Sequence, residues 1–211
     1  MNIRLSAIHL SLPLLLVLLC HTGAGLAQTG RDTPCSPDGI DYDPAIPRPE
    51  TVIGHPLGHR IARNDLLVQY LRTLDELSPR ITSEVMAYSH EGRPILALTI
   101  TSPANHQRID AIKAAHVALN DPDSAQDVDA DMPVLPWLNY VVHGAEVSST
   151  DSSMAVAYHL AAARGAEIEA TLESSVILLI AVFNPDGNSR MSAWNHSYGS
   201  YVPVSNPDHQ V

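Results

Sequence analysis

Cysteine is nearly missing from this chain, whose 211 residues include only Cys20 and Cys35. Cys20 lies in an amino-terminal apolar stretch, and the remainder, left with Cys35 alone, cannot form an internal disulfide, so its stability has to come from a packed core. Cations are scarce too, with 12 Lys and Arg against 23 Asp and Glu and a formal net charge of −11. That balance argues against a nucleic-acid or anionic-membrane partner and for solubility. Beyond the run Leu10 to Leu19 there is no long apolar stretch, and this one is shorter than the ~20 residues a membrane span needs, so no stable membrane insertion is expected. Arg4 precedes the run and Ala24, Gly25 and Ala27 follow it, the pattern of a secretory signal peptide over residues 1–27 that is cleaved after Ala27. Export to a periplasmic or extracellular space follows. A lipid-modified Cys20 would want small residues where Leu18 and Leu19 stand. No Gly-x-Ser-x-Gly elbow occurs, which leaves a serine hydrolase without support, and no internal repeat is seen.

Residues 28–50 are rich in Pro, Gly and Asp without helical or strand period, and read as a mobile leader. The remainder, residues 51–211, is the length of one domain on the usual prior of roughly 100 to 200 residues. Leu67, Tyr70, Leu71 and Leu74 repeat at helical spacing and predict an apolar helix face ending near Pro79. "ITSEVMAY" and "PILALTITS" flank "SHEGR", where Gly92 supplies the turn of a β-hairpin. Asn105 can cap a second helix carrying Ile109, Ile112, His116 and Leu119 on one face, with His116 a core or half-buried histidine. The acidic segment that follows has five aspartates between Asp121 and Asp131. It fails the calcium-loop pattern, which needs Gly at its sixth position and Glu at its twelfth, and reads as a solvated loop. "VLPWLNYVV" has strand length. Ser149 or Thr150 opens a helix to about Arg164, stopped by Gly165. "SVILLIAVF" reads as a central strand covered on both faces, ending in the turn "NPDG". Alternating strands and helices predict an α/β fold, a mixed central sheet with helices on both faces.

Functional groups in such sheets gather where strands deliver the chain into loops at their carboxyl ends, and both "HGAE" and "NPDG" sit at such points. A catalytic zinc site needs three protein ligands and an open position for water, with His nitrogen and Glu oxygen both suitable. His143 and Glu146, on one tight turn with Gly144 for backbone freedom, can present two of them. The competing reading of His-x-x-Glu is a surface turn whose Glu146 favours the following helix N-terminus.

"HGAEVSSTDSSMAVAYHL" resembles the HGxE zinc-binding segment of the zinc carboxypeptidase family related to pancreatic carboxypeptidase A. "EGRPI" (Glu91 to Ile95) is similar to that family's hairpin turn upstream, and "NPDG" (Asn184 to Gly187) to the turn after its next buried strand. The three stand in the family's order, and the resemblance covers about residues 51–211. It implies a carboxypeptidase-like catalytic domain with His143 and Glu146 as ligands of Zn2+, and Arg190 as the arginine that holds the oxyanion or substrate. The competing reading of Arg190 is a solvated loop cation. Ala145 stands where many members carry Asn, at a position that is not a ligand. The substrates implied are carboxyl ends of peptides or proteins.

The resemblance also implies that the third ligand His and the general-base Glu belong to later segments than Val211, so the chain reads as an amino-terminal part, inactive alone, with the carboxyl-terminal part of the domain missing. His196 and His209 are the candidate substitutes for the third ligand; His55, His59, His90, His106 and His159 have less claim. The alternative function is an exported non-catalytic binding module on the same scaffold.

Overall fold

The structure is a computed structural model and describes residues 39–121 and 131–198. The signal peptide, Cys20, Cys35, residues 28–38 of the leader, His209 and the bulk of the acidic segment lie outside these residues.

Elements follow in the order α1 (Pro49–Ile53), α2 (Asn64–Leu77), β1 (Ile81–Tyr88), β2 (Pro94–Ile100), α3 (Pro103–Gln107), α4 (Ile109–Ala118), β3 (Trp137–Asn139), α5 (Val147–Ala162), α6 (Ala166–Glu173), β4 (Ile177–Ile180) and α7 (Pro185–Tyr198). The four strands form a mixed sheet in the order β1-β2-β4-β3. β1 and β2 are the expected antiparallel hairpin, with Gly92 at φ 77° in its turn. β4 runs antiparallel to β2 and parallel to β3, through Leu98↔Leu179 and Leu138↔Leu179. Register puts Leu96, Leu98, Ile100, Ile177 and Leu179 on one face, and they share a buried cluster with Leu67, Tyr70, Leu71 and Leu74 of α2 and Met154, Ala157 and Leu160 of α5. All four side chains of the α2 stripe are buried as the spacing predicts. Each contributes about 1.5–3 kcal/mol of transfer free energy. Ala97 and Ile180 point to the opposite face and are buried as well.

Several expectations change in detail. Residues 41–47, expected to be mobile, are pinned: the Asp43 N–H donates to Ala162 O at 2.7 Å, Tyr42 stacks on Tyr158 at 4.9 Å, and Ile46 is buried. α5 starts at Val147, earlier than Ser149. Gly165 does not merely stop it, because at φ 121° it is the N-cap of α6. Asn105 is not the cap of that helix: α4 has Arg108 at its N-cap with no side-chain bond, Ser102 caps the short α3 by accepting the Asn105 N–H, and the buried Asn105 amide donates to Thr101 Oγ1 and to the carbonyls of Leu172 and Glu173. "NPDG" opens helix α7 rather than making a free turn, so His196 is helical and not in a loop. Of the second helix's expected face only Ile112 is buried, while His116 is half-buried and donates through Nε2 to Pro133 O at 2.8 Å. No helix among the described residues is long and apolar enough to cross a membrane.

Candidate metal site at the strand ends

β3 and β4 are parallel, so their carboxyl ends open on the same side of the sheet. Pairing continues past both: Tyr140 N–H donates to Ile180 O (2.9 Å), Phe183 N–H to Tyr140 O (3.0 Å) and Asn184 N–H to Val141 O (2.9 Å). The turn after β3 and the start of α7 are therefore held side by side. Because β2 is antiparallel to β4, the hairpin turn at Glu91–Arg93 is delivered to the same end. All three sequence motifs converge there.

Two glycines set the spacing. A Cβ on Gly144 would lie 2.1 Å from the backbone carbon of Gly187. Gly144 has no positive φ, so the reason for glycine here is close approach of one backbone to another, and not the conformational freedom expected from the sequence. On the other side, Asn184 Oδ1 accepts the Gly187 N–H (3.0 Å), which caps α7, and Asn188 Nδ2 donates to Thr150 Oγ1 (3.0 Å) with both side chains buried. That last bond ties α7 to α5.

His143 and Glu146 face each other across their turn. His143 Nδ1 lies 2.9 Å from Glu146 Oε1, and the two side chains are 81% and 39% exposed. The hydrogen bond from His143 holds the Glu146 carboxyl below its usual range. Glu146 is the N-cap of α5 by position, yet its side chain makes no cap hydrogen bond; the carboxylate is directed to His143 instead. Zinc bonds of about 2.0–2.1 Å bring neighbouring donor atoms within about 3.5 Å of each other, so the donor set and its convergence fit two ligands of one such ion. Among the described residues no group of three or more His, Cys, Asp or Glu could hold a metal. His196 is not brought to the pair: its Nε2 lies 2.9 Å from Ile61 O, beside the His55 ring. His159 bonds through Nδ1 to the Tyr42 hydroxyl, and burial lowers its pKa.

Just before the turn, Val141 has φ 51°, the one non-glycine residue with positive φ among the described residues, and it is fully buried. For a β-branched residue this conformation costs on the order of 1–3 kcal/mol. The run "NYVV" carries no sign of it and reads as plain strand.

Arg190 lies on α7 with a 74% exposed side chain and is paired with Glu91. Glu91 also takes Arg93, and Arg93 reaches Asp186 Oδ1 at 2.7 Å. Asp186 further accepts from the Ser89 hydroxyl (2.7 Å) and the Glu91 N–H (3.1 Å). Arg93 and Arg190 hold the Glu91 carboxyl low, and Ser89 followed by Arg93 do the same for Asp186. The exposed Arg190 guanidinium is thus held by the Glu91 carboxylate. Glu91 and Asp186 as its supporting groups were missed in the sequence, although both stand inside the quoted motifs.

The sequence profile described as zinc carboxypeptidase matches residues 67–201. No curated protein matches the chain. Among solved structures, carboxypeptidase A from Helicoverpa armigera is similar at 17% identity with a TM-score of 0.43, over 65% of this chain and 31% of its own length. Thrombin activatable fibrinolysis inhibitor is similar at 12% identity with a TM-score of 0.43, over 67% of this chain and 31% of its own. The chain spans about a third of the length of either.

Proposed function

Because the chain belongs to the zinc carboxypeptidase family, we propose that its site serves an exported zinc-dependent metallocarboxypeptidase, a hydrolase acting on the carboxyl ends of peptides and proteins. The observation that carries this reading is the meeting of His143 Nδ1 and Glu146 Oε1 at 2.9 Å at the carboxyl ends of two parallel strands. His143 and Glu146 would hold Zn2+ together with a third ligand from outside the pair. When bound, the ion would polarise a scissile carbonyl and lower the pKa of a bound water.

The chain's own residues do the rest of the work assigned to this part of the site. The exposure of His143 leaves room for a peptide to approach. Gly144 and Gly187 hold the ligand turn against α7. Arg190 would hold negative charge on the substrate, and Glu91 keeps its guanidinium in place until a substrate carboxylate or oxyanion competes for it. Export is part of the proposal, and rests on residues 1–27; an amino terminus at Gln28 in the secreted protein, read by mass spectrometry, is its test.

For the metal, zinc content of the complete protein, third ligand included, should fall to background in His143→Ala while far-UV circular dichroism is unchanged, because catalytic metals sit on prebuilt scaffolds. Zinc occupancy unchanged by that substitution would sink the assignment. Release of carboxyl-terminal amino acids from a peptide panel, with and without chelator, reads the activity.

A further inference from the structure

We propose that Val141 is the positioning residue of the His143–Glu146 turn, holding it by a strained backbone that its own buried side chain locks. Three observations meet at this residue. Its φ is 51°. Its carbonyl accepts the Asn184 N–H, the last bond joining the two strand ends. Its side chain is fully buried in the same cluster as Met154 and Leu179.

In an extended conformation the chain would run on as strand, and His143 would follow the strand's alternation. The left-handed step at Val141 takes it out of the sheet, so that the next residues form the turn on which Nδ1 meets Oε1. Glycine would adopt this step without strain but would not stay in it, having no side chain to anchor. Valine adopts it only because burial of its side chain and the Asn184 bond fix it from both sides. Stability is given up for placement. The metal consequence of this inference rests on the proposed role of His143 and Glu146; the backbone part does not.

The test compares Val141→Ala and Val141→Gly in the full chain. Both lose the anchor, but only alanine keeps the strain, so the usual order inverts and the glycine variant should melt at a higher temperature than the alanine variant. Backbone amide order parameters over residues 142–146 should nevertheless fall furthest in the glycine variant. Its zinc affinity should drop by about tenfold or more, and further than that of the alanine variant. An alanine variant melting at or above the glycine variant overturns the proposal, as does a glycine variant that fails to fold while alanine folds, or one whose order parameters match wild type. If the complete wild-type protein, third ligand included, takes up no zinc, the metal reading falls, and melting order and order parameters still decide the role of Val141.

Discussion

Gly144 and Gly187 meet backbone to backbone, and a methyl group on the first would have to displace main chain rather than the end of a flexible side chain. Gly144→Ala should therefore destabilise at or above the usual overpacking cost of about 1–3 kcal/mol. Gly187→Ala should be milder, since its Cβ would meet Asn184 Nδ2 and Gly144 Cα at 3.0 Å. Urea unfolding of the two variants checks the order, and equal midpoints would mean that the turns separate freely. His143 and Glu146 were legible as a pair because three-residue spacing on a turn brings side chains together whatever the fold. The purpose of Gly144 was not legible. Its partner lies across the site on another element, and nothing near position 144 announces it.

At the scale of elements, Asp186 couples the hairpin turn to the first turn of α7. Its folded pKa and that of Glu91 are lowered from ordinary values of 3.8 and 4.5. Their contribution is thus present in full above those values and lost as pH falls through the depressed folded ones. Asp186→Asn should lower the melting temperature at neutral pH, and the gap to wild type should close as the pH is taken below about 4. A gap that stays constant with pH would show that the carboxylate's charge is not what joins the elements. Asn105 offers a second case, with an amide that satisfies carbonyls at the end of α6. Its replacement by Ala should cost about 2–3 kcal/mol, more than the ~1 kcal/mol of losing the Ser102 cap; calorimetry of both variants decides. The long α2 stripe and the β1–β2 hairpin could be read directly, since both follow from local period and one turn glycine. α7 could have been read and was not: Asn184 as cap, Pro185 at the first position and Asp186 in the first turn are helix-start signals, hidden because the same four residues also spell a turn. α6 was missed because Gly165 serves two helices at once. β3 is only three residues long, shortened by Pro133 and Pro136 before it and the left-handed Val141 after it.

For the whole molecule, β1 and β3 are the outer strands of the four, and both carry exposed apolar side chains, Met86 and Tyr88 on one and Trp137, 60% exposed, on the other. Outer strands of this kind template pairing between chains. Trp137→Lys should reduce self-association in light scattering at matched concentration, and an unchanged mass distribution would show that β3 is not the sticky edge. Strand order was the least legible property of all, because nothing in "VILLI" says which earlier strand it will join. That order has a consequence in time. The hairpin closes locally and can form within microseconds. The sheet cannot be finished until Ile177–Ile180, emerging late from the ribosome, slides between Ala97–Ile100 and Trp137–Asn139. Until then β2 has one bare side, and closing so long a loop makes the step slow by the measure of contact order. A growing chain therefore has its hairpin motif formed while the His143–Glu146 turn still lacks the Asn184 bond and the Gly187 contact that fix it.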